Sequence, residues 1–177
     1  MNPFRVFVLL MSLLTTASAS TPPPPQHLIA EMPYLRQSRF FCGPACLGMV
    51  LGYYGVSIPQ KQLADEFYRK NLSGSLNLDL LVSARRHGFE AAMHRGCLEL
   101  LREYLRRDVP IIALIRTSTD PDRYHYLVIY GYDDETRTFT VHSGGLRGGR
   151  LSYEDFDRDW AGAEHWMLTV ERKTGWQ

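Results

Sequence analysis

Residues 37–47 read Gln37-Ser38-Arg39-Phe40-Phe41-Cys42-Gly43-Pro44-Ala45-Cys46-Leu47, and they run into an apolar segment that ends near Tyr54. Pro44 favours a helix start close by, because proline lacks the N–H that a first turn leaves unpaired and its φ is already helical. Cys42 would then lie at the amino end of a helix, where unpaired N–H groups and the helix dipole favour a thiolate over a thiol. We therefore interpret Cys42 as a candidate nucleophile, with a buried structural cysteine as the alternative.

Two polar side chains are candidates to complete a site around this sulfur. Gln37 lies five residues before Cys42, and its amide could donate a hydrogen bond to an oxyanion that forms beside the sulfur. His125 opens a hydrophobic strand directly after a polar loop, a position from which an imidazole can project into a cleft. A histidine at a strand start is ordinary by itself. It becomes a candidate general base because a cysteine nucleophile needs one.

The first 28 residues contain a predicted export signal followed by a predicted linker. Residues 1–19 combine Arg5, an apolar run and a small-x-small ending at Ala17-Ser18-Ala19, which are the three parts of a secretory signal peptide. The apolar run is too short to span a bilayer, and an uncleaved anchor is the alternative interpretation. Residues 20–28 include four consecutive prolines and predict an extended linker. We predict one domain at 29–172, exported to the periplasm or the extracellular space.

Composition narrows the classes of partner. The chain has 20 lysines and arginines and 19 aspartates and glutamates, a balance that argues against nucleic acid or an anionic membrane as the main partner. Membrane contact is therefore expected only through the signal sequence. Three cysteines leave at least one thiol free, and the spacing of Cys42 and Cys46 lacks the paired pattern of zinc sites. We predict no metal and no organic cofactor, with Cys46 in the core and Cys97 as a helix cap or core residue.

The two halves of the domain differ in periodicity. Helical spacing predicts helices at 42–54, 60–68, 76–87 and 98–106, with a short strand at 89–93. The second half contains strand-like runs, and a short helix that Ser152 and Asp155 would cap. These strands are predicted at 109–115, 124–132, 138–142, 149–151 and 165–170. Helices followed by an antiparallel sheet indicate an α+β fold, with the N-terminal helices packed on the C-terminal sheet.

The two motifs together resemble a known family. Gln37 followed by Cys42-Gly43-Pro44-Ala45-Cys46-Leu47, and then His125-Tyr126-Leu127-Val128-Ile129-Tyr130-Gly131-Tyr132-Asp133-Asp134, is similar to the thirty-ninth cysteine peptidase family. The papain-like domains of that family cut double-glycine leader peptides in bacteriocin-exporting ABC transporters. The resemblance covers residues 32–170, and it is nearest to small exported bacterial members that stand apart from any transporter. It implies a papain-like fold with Cys42 as nucleophile, His125 as general base and acid, and Gln37 as oxyanion donor.

Two features depart from the family's pattern. The family usually has an aspartate at the end of the strand after the histidine strand, and this position reads Val141-His142-Ser143-Gly144. Ser143 could orient the imidazole, but it supplies no negative charge to stabilise imidazolium. Asp133 and Asp134 are expected at the far end of the hairpin, about 25 Å from His125 at the rise of a strand. The second departure is the predicted export, because the leader peptidases act on the cytoplasmic side.

The sequence therefore predicts an exported cysteine peptidase that hydrolyses a peptide bond through Cys42 and His125, with Gln37 and Ser143 in supporting roles. Its expected partner is a peptide or protein substrate, with a component of a secretion system as a further possibility. Two alternatives stay open. One is a catalytically degenerate domain that binds a peptide or an assembly partner, which would explain Ser143. The other is a thiol acyltransferase or amidase that uses the same two residues.

Overall fold

The structure is a computed structural model that describes residues 24–117 and 123–173. The predicted signal peptide at 1–19 and the first part of the predicted linker lie outside the described residues. The polar turn at 118–122 lies outside them as well. Within the two described ranges, no helix has both the length and the apolar character that crossing a bilayer requires.

Five α-helices occur in the described residues, and their positions follow the predicted periodicity closely. Their bounds are α1 Cys42–Tyr53, α2 Gln60–Phe67, α3 Asn77–Arg86, α4 Leu98–Arg106 and α5 Tyr153–Ala161. The first helix is buried along almost its whole length, from Gly43 to Leu51. A helix that is apolar on all sides has to lie inside a domain. Accordingly α1 packs between the sheet on one side and the helices α2 and α3 on the other.

Seven strands of the described chain form one antiparallel sheet. They are β1 Gln26–Leu28, β2 Phe89–Arg95, β3 Ile111–Arg116, β4 Tyr124–Asp133, β5 Thr138–Ser143, β6 Leu146–Ser152 and β7 Trp166–Arg172. Their order across the sheet is β2-β7-β3-β4-β5-β6, and β1 pairs with the end of β4. The α+β prediction is confirmed, although β2 comes from the helical half of the chain and forms one edge of the sheet.

The sheet begins earlier in the chain than the sequence indicated, because part of the predicted linker is a strand. Gln26–Leu28 pairs with residues 131–133 of β4. The Tyr132 hydroxyl donates to the carbonyl oxygen of Pro24 at 2.9 Å, and the N–H of Asp134 donates to that of Pro25 at 2.7 Å. Residues 24–28 therefore belong to the folded domain, and the extended backbone that proline favours also suits a short strand.

One hydrophobic core joins the helices to the sheet. It includes Leu47 and Leu51 of α1, the central strands β3 and β4, and an aromatic cluster under α5. That cluster contains Phe139, Tyr153, Phe156 and Trp160, with ring centroids 4.5–5.2 Å apart between neighbours. The predicted cap of α5 is present, because the N–H of Asp155 donates to Oγ of Ser152 at 3.0 Å.

Candidate active site

Cys42 is the first residue of α1, as the sequence predicts. The chain reaches it through a tight turn in which the N–H of Phe41 donates to the carbonyl oxygen of Ser38 at 3.0 Å. Phe40 has a φ of +66°, which is uncommon for a bulky side chain and costs of order 1 kcal/mol. The N–H of Ala45 then donates to the carbonyl oxygen of Phe41 at 2.9 Å. This hydrogen bond begins the helix and leaves the sulfur at its amino end.

The surroundings of Cys42 favour the thiol in the resting protein. Burial raises the pKa of the Cys42 thiol, and the backbone N–H groups of Tyr126, Gly43 and Cys42 lower it only in part, with a further small contribution from the charge of Arg123. The sequence-based expectation of a depressed pKa is therefore wrong. The helix end was correctly identified, but the sulfur is also covered by β4 and the loops, and this loss of solvent outweighs the favourable backbone dipoles.

His125 is the second residue of β4, and its side chain is half-buried. Its Nε2 atom lies 3.0 Å from Oγ of Ser143. When Nε2 carries the hydrogen and donates it to Ser143, Nδ1 is the nitrogen that can accept a proton. Burial, and secondarily the positive charge of Arg123, lower the pKa of His125 to about 4. The imidazole is therefore neutral at physiological pH, and no carboxylate has to balance a charge on it.

The register of the β4–β5 hairpin brings Ser143 to His125. Val128 pairs with His142, so Ser143 lies beside Leu127 and diagonally across from His125 on the same face of the sheet. The pairing shifts between Ile129 and Gly131, and such a bulge changes which side chains face one another. Asp133 and Asp134 are ion-paired instead with Arg150 and Arg102 at the other end of the hairpin.

Cys42, His125 and Gln37 line one cleft of about 820 Å³. Gln37 reaches it from the loop before α1, and a Cβ atom added at Gly144 would lie 3.9 Å from Cδ of Gln37. The Tyr34 hydroxyl donates to the carbonyl oxygen of Gly144 at 3.1 Å, which links the same loop to the turn after β5. Three of the four residues predicted for the site therefore line one cavity, and the fourth, Ser143, contacts the imidazole of His125.

The wall of the cleft opposite β4 is formed by residues 72–78. Tyr126, directly after His125, bonds to this wall through its hydroxyl, which lies 2.5 Å from Oδ1 of Asn77 and 3.2 Å from the carbonyl oxygen of Ser75. Gly43 packs against Ser75, where an added Cβ would come within 3.2 Å of that side chain. A larger residue at position 43 would separate the wall from the start of α1 and widen the cleft.

Much of the cleft is apolar and open to solvent. Five of its lining residues are large hydrophobic side chains that are at least 39% exposed, namely Phe40, Leu72, Leu76, Leu78 and Tyr124. Exposed apolar groups gathered in one place indicate a binding surface, whereas scattered ones are normal. This surface adjoins the sulfur and the imidazole.

Gln60 is a supporting residue that sequence reasoning missed. Its Oε1 accepts a hydrogen bond from the N–H of Ser38 at 2.9 Å, and its Nε2 donates to the carbonyl oxygen of Arg36 at 2.9 Å. The Gln60 amide therefore holds both neighbours of Gln37. A glutamine at the start of α2 carries no sequence signal for this role, because the two contacts depend on how α2 packs against the loop.

The other described histidines bond to partners outside the cleft. His27 pairs with Asp108, His87 with Glu66 and His165 with Asp157, while His94 bonds to Thr169. His142 is buried, and both of its ring nitrogens have partners. Nδ1 accepts from the N–H of Gly148 at 3.0 Å, and Nε2 lies 3.4 Å from the carbonyl oxygen of Met32.

The remaining cysteines are not placed to share the chemistry of Cys42. Cys46 is buried in the core as predicted, and Cys97 is exposed at the N-cap position of α4 without a capping hydrogen bond from its side chain. Within residues 24–117 and 123–173, no group of three or more His, Cys, Asp or Glu side chains is arranged to hold a metal ion.

The chain is similar to known proteins both in sequence and in structure. Residues 29–165 match the sequence model described as the Peptidase_C39 like family. The lactococcin-G-processing and transport ATP-binding protein LagD of Lactococcus lactis subsp. lactis is 25% identical over 122 residues, which are 68% of this chain and 16% of that protein. The chain spans about one sixth of the length of the curated relatives it matches.

Two solved structures are similar along almost their whole length. A double glycine motif protease from an AMS/PCAT transporter, crystallised with the leader peptide, gives a TM-score of 0.65 at 24% identity and covers 84% of this chain and 99% of its own. A C39-like peptidase from Bacillus anthracis gives a TM-score of 0.67 at 15% identity, with 84% and 98% coverage. At these identities the similarity shows a shared fold, and the fold that the sequence predicted is confirmed.

Proposed function

The chain belongs to the Peptidase_C39 like family and has its papain-like peptidase fold, and from this premise we propose that it hydrolyses peptide bonds with Cys42 as nucleophile and His125 as general base and acid. The observation that carries the proposal is the shared cleft. The sulfur and the imidazole, 83 positions apart in the sequence, line the same open cavity. Nε2 of His125 is engaged by Ser143, which leaves Nδ1 for proton exchange.

The reaction has two halves. As Sγ of Cys42 attacks the peptide carbonyl carbon, Nδ1 of His125 takes the thiol proton, and the carbonyl oxygen becomes an oxyanion that Gln37 and the Cys42 N–H stabilise. Collapse of this intermediate breaks the C–N bond, and His125 gives its proton to the leaving amine. Water, deprotonated by His125, then cleaves the thioester, which releases the acid product and restores the thiol.

The neutral resting pair determines when the proton moves. Burial disfavours both the thiolate and the imidazolium, so we propose that proton transfer accompanies attack on the substrate rather than preceding it. Ser143 is sufficient for this mechanism because its task is to fix the tautomer of a neutral ring. An aspartate would additionally stabilise imidazolium, and its absence is expected to slow the reaction.

The substrate we propose is an extended peptide that lies along the apolar cleft. Five exposed hydrophobic side chains beside the catalytic pair would accept large apolar residues of such a peptide. The relative LagD is a lactococcin-G-processing and transport protein, and the similar AMS/PCAT protease was crystallised with the leader peptide. A double-glycine leader is therefore the first substrate to test, with other apolar peptides as competitors.

Peptide hydrolysis is tested by incubating the wild type and Cys42→Ala with a synthetic peptide library that includes double-glycine sequences. The proposal predicts new amino termini with the wild type, none with Cys42→Ala, and an acyl-enzyme of increased mass when the reaction is quenched early. Ser143 favours a second candidate, a domain that binds peptides without cutting them. That candidate predicts equal binding by both proteins and no products at any pH. Products joined to an added amine nucleophile would indicate an acyltransferase.

The role of Gln37 is tested together with Gln60. We expect Gln37→Ala to lower kcat by about 10² with little change in KM, the usual effect of removing an oxyanion donor. Gln60→Ala should lower kcat by about 10-fold, because it releases the loop on both sides of Gln37. If Gln60 acts through Gln37, adding Gln60→Ala to Gln37→Ala changes kcat no further. Additive losses would show that Gln60 has only a general structural role.

We also propose that the chain is exported, on the basis of the charged, apolar and small-residue parts of residues 1–19. Expression of the full sequence in a bacterial host tests this proposal. A product in the periplasm or the medium whose amino terminus is Ser20 supports cleavage after Ala19. A full-length product in the membrane fraction indicates the anchor alternative, and a full-length cytoplasmic product contradicts export.

A further inference from the structure

Arg123 differs in charge from the other residues around the cleft. Among the described residues that line the cavity, it is the one whose side chain carries a full charge at neutral pH. The others are apolar or neutral polar groups, and His125 is neutral because its pKa is about 4. Arg123 is exposed and stands two positions before His125. A guanidinium thus lies at the opening of a largely apolar cleft.

The backbone of Arg123 is fixed by its neighbours. Its carbonyl oxygen accepts a hydrogen bond from the N–H of Thr117 at 3.1 Å, with Oγ1 of Thr117 at 3.4 Å. The next residue, Tyr124, pairs with Arg116 in the sheet. Arg123 therefore leaves the end of the β3–β4 ladder at a set position, while its side chain keeps access to solvent.

Within the part of the chain that the structure describes, no ion pair includes Arg123, so its charge can act on a ligand in the cleft. Asp79, on the helix that follows the opposite wall, is already bound to Arg69 by two hydrogen bonds of 2.6 and 2.7 Å. Arg39 adds a second positive charge at the rim, 4.8 Å above the ring of Phe40. The charge of Arg123 reaches the catalytic pair, because it contributes to lowering the pKa of both Cys42 and His125.

We propose that Arg123 is a specificity-determining residue that binds a carboxylate of the peptide substrate, so that the enzyme prefers peptides with an acidic group near the cleaved bond. This inference rests on the proposed peptidase function. Guanidinium binds carboxylate through two parallel hydrogen bonds, and a partly apolar cleft strengthens that attraction relative to open water. An acidic side chain and a free C-terminal carboxylate offer the same chemistry, and the test separates them.

The first experiment compares cleavage of matched peptides. A library that varies each position of an apolar peptide is digested by the wild type, Arg123→Gln, Arg123→Glu and the control Arg86→Gln. Arg86 is an exposed arginine at the other end of α3 and does not line the cleft. The best substrate is then remade with Gln for Glu, with Lys for Glu, and with a C-terminal amide for the acid.

Arg123 is expected to account for the preference. For the wild type and Arg86→Gln, kcat/KM should be roughly 5- to 20-fold higher for the acidic peptide than for its neutral partner, as a partly exposed charged hydrogen bond allows. Arg123→Gln should remove this ratio, and Arg123→Glu should favour the lysine peptide. If the advantage in kcat/KM disappears when Gln replaces Glu in the peptide, the bound group is a side-chain carboxylate. If it disappears when the C-terminal acid becomes an amide, the bound group is the C-terminal carboxylate. An unchanged ratio in both Arg123 variants overturns the inference.

A binding experiment separates this inference from the peptidase proposal. Fluorescein-labelled acidic and neutral versions of the same apolar peptide are titrated into Cys42→Ala and into Cys42→Ala with Arg123→Gln, and anisotropy is measured at low and high salt. Arg123 should give the acidic peptide about 5-fold tighter binding, and salt should weaken that advantage. This result can hold even if no peptide is ever cut. Equal binding of the two peptides by Cys42→Ala contradicts the role of Arg123.

Discussion

His125 and His142 lie on neighbouring strands of one sheet, and they differ in what their ring nitrogens contact. Both have a pKa below the ordinary value because of burial. In His142, Nδ1 accepts a hydrogen bond from the N–H of Gly148, and Nε2 lies beside the carbonyl oxygen of Met32. The rings of Tyr34 and Tyr130 cover the imidazole. His125 has Nε2 on Ser143 and lines an open cleft. Burial alone therefore does not make a histidine reactive. Reactivity needs a nitrogen that faces the substrate.

Replacing His125 gives the largest expected effect. His125→Ala should lower kcat/KM by about 10³-fold, because the proposed general base and acid for both halves of the reaction is lost. Thermal unfolding should change little, since the side chain is only half-buried and touches an open cleft. The measurement is peptide hydrolysis together with a melting curve. Full activity in this variant would remove His125 from the mechanism.

Replacing His142 should lower stability and leave activity nearly unchanged, the reverse of the effect expected for His125. His142→Gln is expected to lower the free energy of unfolding by about 2–3 kcal/mol, since glutamine cannot fill the place of the ring between Tyr34 and Tyr130. Activity per folded molecule should stay within about threefold, measured after correction for the folded fraction from urea unfolding. A loss of activity as large as that of His125→Ala, in a protein that remains folded, would break the contrast between the two rings.

A negative charge at position 143 is expected to change the protonation and the reactivity of His125. Ser143→Asp places a carboxylate beside Nε2 of His125, which should raise the pKa of that imidazole by about 1–2 units and increase kcat/KM by about 10-fold. Ser143→Asn is the matched neutral control and should leave both quantities close to those of the wild type. NMR titration of the imidazole and peptide hydrolysis measure the two effects. A pKa that does not move would show that Ser143 does not contact the ring in solution.

The pH dependence of stability involves both of these histidines together with His94. In the folded protein the pKa of His94, His125 and His142 is lowered, so the unfolded chain binds more protons once the pH falls below about 6.5. The free energy of unfolding should therefore decrease from about pH 6.5 towards pH 4, by at most about 1.4 kcal/mol per pH unit for each histidine. Urea unfolding of the wild type and of His142→Gln tests this, and the variant should show the shallower slope.

The sequence was most informative where local and tertiary structure agree. Pro44 identified the start of α1, and the apolar spacing of residues 98–106 gave the bounds of α4 correctly. The length of the hairpin brought residues 142 and 143 close to His125, whereas the bulge between Ile129 and Gly131 determines that Ser143 shares a face of the sheet with it. These features are encoded within short stretches, so they could be inferred without knowing how distant segments meet.

Other features depend on tertiary contacts and could not be read from the sequence. The raised pKa of Cys42 results from the cover that β4 and the loops provide, whereas the helix end by itself predicted a lowered one. Gln60 acquires its role only when α2 docks beside the loop at 36–38. Strand β1 was assigned to the linker because it directly follows four prolines, and proline usually interrupts strands. Its pairing with the backbone of residues 131–133 of β4 depends on how the two segments meet in the fold.

Strand β1 also determines where an attachment to the domain would emerge. Pro24 and Pro25 are held beside Tyr132 and Asp134, at the opposite end of β4 from His125 and about 25 Å away at the rise of a strand. A resin, a fluorophore or a surface tether joined ahead of Pro24 would thus lie far from the cleft that His125 lines. The protein is therefore suited to immobilisation through that end, because the cleft would stay open to the solution.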